Sequence, residues 1–171
     1  MHRTLPLLSV LLAFATGAAA ADDGAIGYRP SKIVMLQPDW LIGQRVDVQP
    51  LAETIRAVQA AASFYRVEGK PDEWVNTCSI FLVLRPQSHL RTWSVCNDED
   101  APDLDTLIAS SLPAESVADV REGSVILQLS AQDAPSGPQV GTLPLAWQHA
   151  LQGRRDAPLE AEQLVNQIWP M

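Results

Sequence analysis

The chain has 171 residues, with 12 Lys plus Arg against 20 Asp plus Glu, for a formal net charge of −8. That length holds one ordinary domain with a real core. The acidic balance argues against a general nucleic-acid binder and against a protein held to acidic lipid by charge. With three histidines and two cysteines in all, four-ligand zinc sites, haem-attachment motifs and iron–sulfur runs are essentially excluded by count.

Residues 1–21 read MHRTLPLLSVLLAFATGAAAA. A short basic start (His2, Arg3) precedes an apolar run over 5–15, and small residues lead to Asp22. This is the three-part pattern of a secretory signal, with an apolar stretch too short to span a bilayer comfortably. Cleavage is expected after Ala20 or Ala21. No later segment reaches membrane-spanning length, so the expectation is a periplasmic or secreted protein with no transmembrane segment in the mature chain. Disulfides persist in such a compartment, and Cys78 and Cys96 are expected to form a structural bridge.

Past a loose entry segment, the apolar run at 32–36 predicts a strand. Residues 44–49 (QRVDVQ) alternate, with Val46 and Val48 on one face, and predict a half-buried strand. Leu51, Ile55, Val58, Ala62 and Tyr65 recur at intervals of three and four, which predicts a helix over 51–65. Gly69 and Pro71 stop it.

The middle of the chain is the most informative part. Residues 77–85 (TCSIFLVLR) and 90–96 (LRTWSVC) are rich in strand formers, with Pro86, Gln87, Ser88 and His89 as a turn. Folding the runs about Gln87 sets Cys78 opposite Cys96, each nine residues away. The same register sets Ile80 opposite Ser94, Leu82 opposite Thr92 and Leu84 opposite Leu90. On the other face Phe81 meets Trp93 and Val83 meets Arg91. The expectation is a hairpin over 77–96, stapled near its open end.

Leu104, Leu107, Ile108 and Leu112 predict a helix over 103–112, with Asp100, Asp103 and Asp105 near its positive end. Residues 124–130 (SVILQLS) predict a further strand. The resulting order suits an α+β fold of βαββαβ (split βαβ) type, an antiparallel sheet with helices on one face. In that arrangement the hairpin's second strand sits beside the strand at 44–49. The domain is expected to span 22–130, followed by a linker over 131–142 and a helical tail over 143–171. The tail carries short helices over 144–152 and 158–169. It packs back on the domain or onto a partner.

Chemical motifs are sparse. There is no nucleophile elbow and no glycine-rich phosphate loop. His89 and His149 are the only histidines past the signal, and a bridged cysteine pair removes a thiol nucleophile. No catalytic residue, metal ligand or cofactor is therefore assigned. Asp98, Glu99 and Asp100, with Asp103 and Asp105, offer oxygen ligands but lack the EF-hand spacing. They read better as capping residues or as an acidic docking patch.

Trp40, Trp74 and Trp169 are candidate interaction residues, because aromatics anchor interfaces. The leading expectation is an exported noncatalytic module for protein binding or envelope assembly, its partner another envelope or periplasmic protein. A sheet edge is one place to receive that partner. The alternatives are a small periplasmic hydrolase or transferase using carboxylates or a dispersed serine, and an inhibitor or immunity-like protein with an acidic protrusion at 97–105.

Overall fold

A computed structural model describes residues 28–63, 77–97, 103–131, 143–152 and 160–170. In chain order these form β1 (Pro30–Met35), α1 (Asp39–Arg45), α2 (Val48–Ser63), β2 (Cys78–Arg85) and β3 (His89–Cys96). Then come α3 (Leu104–Ser111), a 3-10 turn (Ala114–Ser116), β4 (Val125–Ala131), α4 (Leu145–Leu151) and α5 (Ala161–Ile168). The strands make one antiparallel sheet in the order β1-β4-β2-β3. The α+β class with an antiparallel sheet is as the sequence indicates.

The hairpin has the register expected of it. Cys78 pairs with Cys96, Phe81 with Trp93 and Leu84 with Leu90. The Cys78–Cys96 disulfide closes its open end, with Cα atoms 4.0 Å apart. At the closed end Gln87 (φ 65°) and Ser88 (φ 55°) both take the left-handed backbone that non-glycine residues avoid. Asp119 holds them there, one carboxylate oxygen accepting the Gln87 N–H at 2.8 Å and the Ser88 N–H at 3.3 Å.

Two expectations are corrected. Residues 44–49 are not a strand. Arg45 ends α1, Val46 is its extended cap, and Val48 opens α2. Val46 is buried and Val48 is 77% exposed, so their alternation does not mark one sheet face. Pro50 lies in the first turn of α2, where its missing N–H costs nothing. The first strand of the unit is therefore the run near 32–36. Its neighbour is β4, and the hairpin's second strand forms the opposite edge of the sheet.

The burial of each strand explains that order. Every residue of β2 and of β4 is buried; one face of each is apolar, and the other mixes Phe81, Val83 and Ile126 with Ser79, Arg85, Gln128 and Ser130. They belong in the middle, whereas β1 (PSKIVM) and β3 (HLRTWSVC) carry charge and exposed positions suited to edges.

Each face of the sheet has its own core. On one, Ile80, Leu82, Leu84, Val125, Leu127 and Leu129 pack with Leu51 and Val58 of α2 and with Leu104 and Ile108 of α3. Tyr28 closes this core, its hydroxyl donating toward the carbonyls of Leu129 (2.8 Å) and Cys78 (3.3 Å). Thr54 of α2, fully buried, donates to the Ser116 carbonyl and accepts the Ala118 N–H, both at 2.8 Å. It thereby fastens the segment before β4 to the helix.

The tail covers the other face. Trp147 of α4 and Leu164 and Val165 of α5 bury Phe81, Val83, Trp93 and Ile126. Rings chain from Phe81 to Trp147 (5.2 Å), to Trp93 (5.8 Å) and on to Trp169 (6.2 Å). Glu162 adds a polar anchor. It pairs with Arg45 at 3.0 Å and accepts the Ser124 N–H at 3.0 Å. Gly123 makes room for that carboxylate: its φ is 64°, and a Cβ there would lie 2.6 Å from Glu162 Oε1. The described part of the tail is thus built into the domain. The linker at 132–142 lies outside the described residues.

Candidate functional site

The two edges of the sheet differ. On β1, the Leu36 N–H just past the strand donates to the Ile126 carbonyl at 3.1 Å. Antiparallel ladders alternate residue by residue. The backbone groups of Lys32 and Val34 therefore also face β4, and those of Ile33 and Met35 face outward. Their side chains are 46% and 48% exposed. Among the described residues no element pairs with this edge.

On β3 the outward Ser94 N–H is taken by the Asp105 carboxylate of α3 at 3.1 Å. A cleft of about 380 Å³ runs beside this edge, lined by Leu90, Arg91, Trp93, Asp103, Asp105 and Thr106 among others. Burial pushes the Asp105 carboxyl above the usual carboxylate range, opposed by the Ser94 bond and the nearby Thr92 hydroxyl. Its Oδ1 is buried without a hydrogen-bond partner.

Asp103 is held below that range, chiefly by the Thr106 hydroxyl and N–H. It caps α3, accepting the Thr106 N–H at 3.0 Å. Two carboxyl groups shifted in opposite directions are an arrangement that acid–base catalysis uses. Here each also serves a local backbone need.

A second cleft, of about 430 Å³, opens at the closed end of the hairpin between Arg85, Pro86, Gln87 and His89 on one side and Trp169 and Pro170 on the other. Arg85 is only 2% exposed. Its Nη2 donates to Asn166 Oδ1 at 2.7 Å and its Nε to Ser124 Oγ at 3.3 Å. The guanidinium carbon sits 4.6 Å from the centre of the Trp169 ring, a contact worth about 1–2 kcal/mol when desolvated. Burial lowers the Arg85 pKa, and the charge of Glu162 raises it in turn.

The residues singled out in the sequence scatter. Trp40 sits on α1 and is 65% exposed. Trp169 is half-buried, its ring between Trp93 and Arg85. Trp74, Asp98, Glu99 and Asp100 lie outside the described residues. Cys78 and Cys96 are bridged. His89 and His149 are exposed on β3 and α4. Among the described residues no group of three metal-ligating side chains converges.

Sequence reasoning missed Arg85, for which a lone arginine closing the run SIFLVLR was the available signal. It placed Asp105 at the start of a helix, but nothing in the spacing marked its bond to Ser94.

Among the described residues, fold and clefts together define an α+β protein whose four-stranded sheet has one edge capped at Ser94 and one edge unpaired. Comparison with family models, curated proteins and solved structures finds no match for this chain. No helix among the described residues is long and apolar enough to cross a membrane.

Proposed function

We propose that the protein is an exported, noncatalytic binding module of the periplasm or cell envelope that receives an extended segment of a partner protein on the edge of β1. The outward backbone groups of Ile33 and Met35 carry this reading, because Asp105 blocks the equivalent edge at β3. Strand addition draws affinity from main-chain hydrogen bonds and specificity from alternate side chains. Ile33 and Met35 supply an apolar pair two residues apart for that purpose. The signal-like residues 1–21 and the Cys78–Cys96 bond support export.

The test places a photo-crosslinking residue at position 33 or 35, and for comparison at the exposed Glu53 of α2, in the exported protein. The reading expects a discrete protein adduct from 33 and 35 but not from 53. Ile33→Pro, which removes an outward N–H and no bond to β4, is expected to abolish the adduct formed from 35. Equal adducts at all three positions would contradict it.

A second reading, a small hydrolase working with carboxylates, is favoured by the opposed shifts of Asp103 and Asp105 in one cleft. Turnover of glycan or ester substrates that is lost in a folded Asp105→Asn variant would support it. Turnover unchanged in that variant would remove it.

A further inference from the structure

Among the described residues, Arg85 is a buried cation with no carboxylate in contact. Such groups are normally paired or left in water, since removing a charge from water is costly. Glu162, whose charge acts on it, is already bound to Arg45 and to the Ser124 N–H. Arg85 itself donates to a neutral amide and a neutral hydroxyl. Among the described residues, Arg45 and Glu162 balance each other and the positive charge of Arg85 at the cleft is left unmatched.

The walls of the cleft set the rest of the chemistry. The Trp169 ring lies against the guanidinium, and Pro86 and Pro170 add apolar surface. Gln87 and His89 put polar groups on the hairpin side. That side is shaped by a turn in which Gln87 and Ser88 both hold left-handed backbone, kept there by Asp119. Backbone held in costly regions concentrates at ligand clamps.

We propose that this cleft binds a monocarboxylate carried on an apolar group, with the carboxylate on the free N–H groups of Arg85 and the apolar part against Trp169, Pro86 and Pro170. A planar carboxylate matches the planar guanidinium fork. One surplus charge suits one carboxylate better than a doubly charged phosphate. The site is separate from the edge of β1 and does not depend on the reading of that edge.

The test titrates the mature full-length protein with four probes while following the Trp169 indole N–H by NMR. N-acetyl-phenylalanine stands for a peptide C-terminus and hexanoate for a free acid. N-acetyl-phenylalaninamide is the neutral match, and phenyl phosphate is the dianion. At least one carboxylate is expected to shift Trp169 saturably, about tenfold more tightly than the amide, as a charge-assisted bond allows. Whichever carboxylate binds more tightly identifies the source.

Equal binding of the acid and its amide, phenyl phosphate binding as tightly as either acid, or no saturable shift of Trp169 would each overturn the proposal. Arg85→Gln should remove the preference for acid over amide. The wild-type comparison decides the matter even if that variant fails to fold.

Discussion

The edge strands β1 and β3 flank the same sheet, yet they meet the outside in different ways. β3 is tied at one end by Cys78–Cys96, held at the other by Asp119, and capped at Ser94 by Asp105 of α3. Among the described residues β1 is held from within, by β4 and by the Gln37 side chain, which accepts the Ile126 N–H at 3.0 Å. An unprotected edge is a pairing hazard that proteins usually blunt. Among the described residues one edge is secured and the other is unpaired, and the proposed place for a partner is the unpaired one.

Removing the guards of β3 should show what each contributes. Reduction of Cys78–Cys96 is expected to cost about 2–4 kcal/mol, measured by urea unfolding with and without reductant. Asp105→Ala leaves the Ser94 N–H without its partner and is expected to cost about 1–3 kcal/mol. Asp103→Ala, which removes the cap of α3, should cost about 1 kcal/mol. At the open edge, Ile33→Thr and Met35→Thr should change stability by less than about 0.5 kcal/mol while weakening partner capture. A large stability loss at either position would mean that the edge is structural.

Acidity separates the two carboxylates beside β3. Asp105 has a raised folded pKa, so the native state holds its proton more tightly than the unfolded chain does. Its contribution is fully present below the unfolded carboxylate value and is lost as pH rises through the folded one. Asp103 has the opposite sign. Its contribution is present above the unfolded value and is lost as pH falls through the lowered folded value. Asp105→Asn keeps an acceptor for the Ser94 N–H and should remove the first dependence alone. Urea midpoints measured across the acidic range check this. An unchanged slope with pH in Asp105→Asn would contradict it.

The hairpin was legible because one fold point satisfies several pairs at once: both cysteines, Phe81 with Trp93, and Leu84 with Leu90. Helices α2, α3 and α5 were legible from their apolar spacing. Residues 44–49 misled because Val46 and Val48 alternate for unrelated reasons, one capping a helix inside the core and the other opening a helix in solvent. Strand order needed a different signal, the near absence of charge in β2 and β4 beside the charged residues of β1 and β3.

The clefts were mostly illegible. Asp105 and Ser94 meet only because α3 crosses the edge of β3, and Arg85 meets Trp169 only because the tail returns across the sheet. Contacts between such distant segments leave no local periodicity to read.

The contrast between the edges is tested most directly by residue-resolved amide hydrogen exchange on the isolated mature protein. The Ser94 amide should be protected, and those of Ile33 and Met35 should exchange at rates near those of open chain. Slow exchange at Ile33 and Met35 without a partner, or fast exchange at Ser94, would contradict the asymmetry on which the proposed binding role rests.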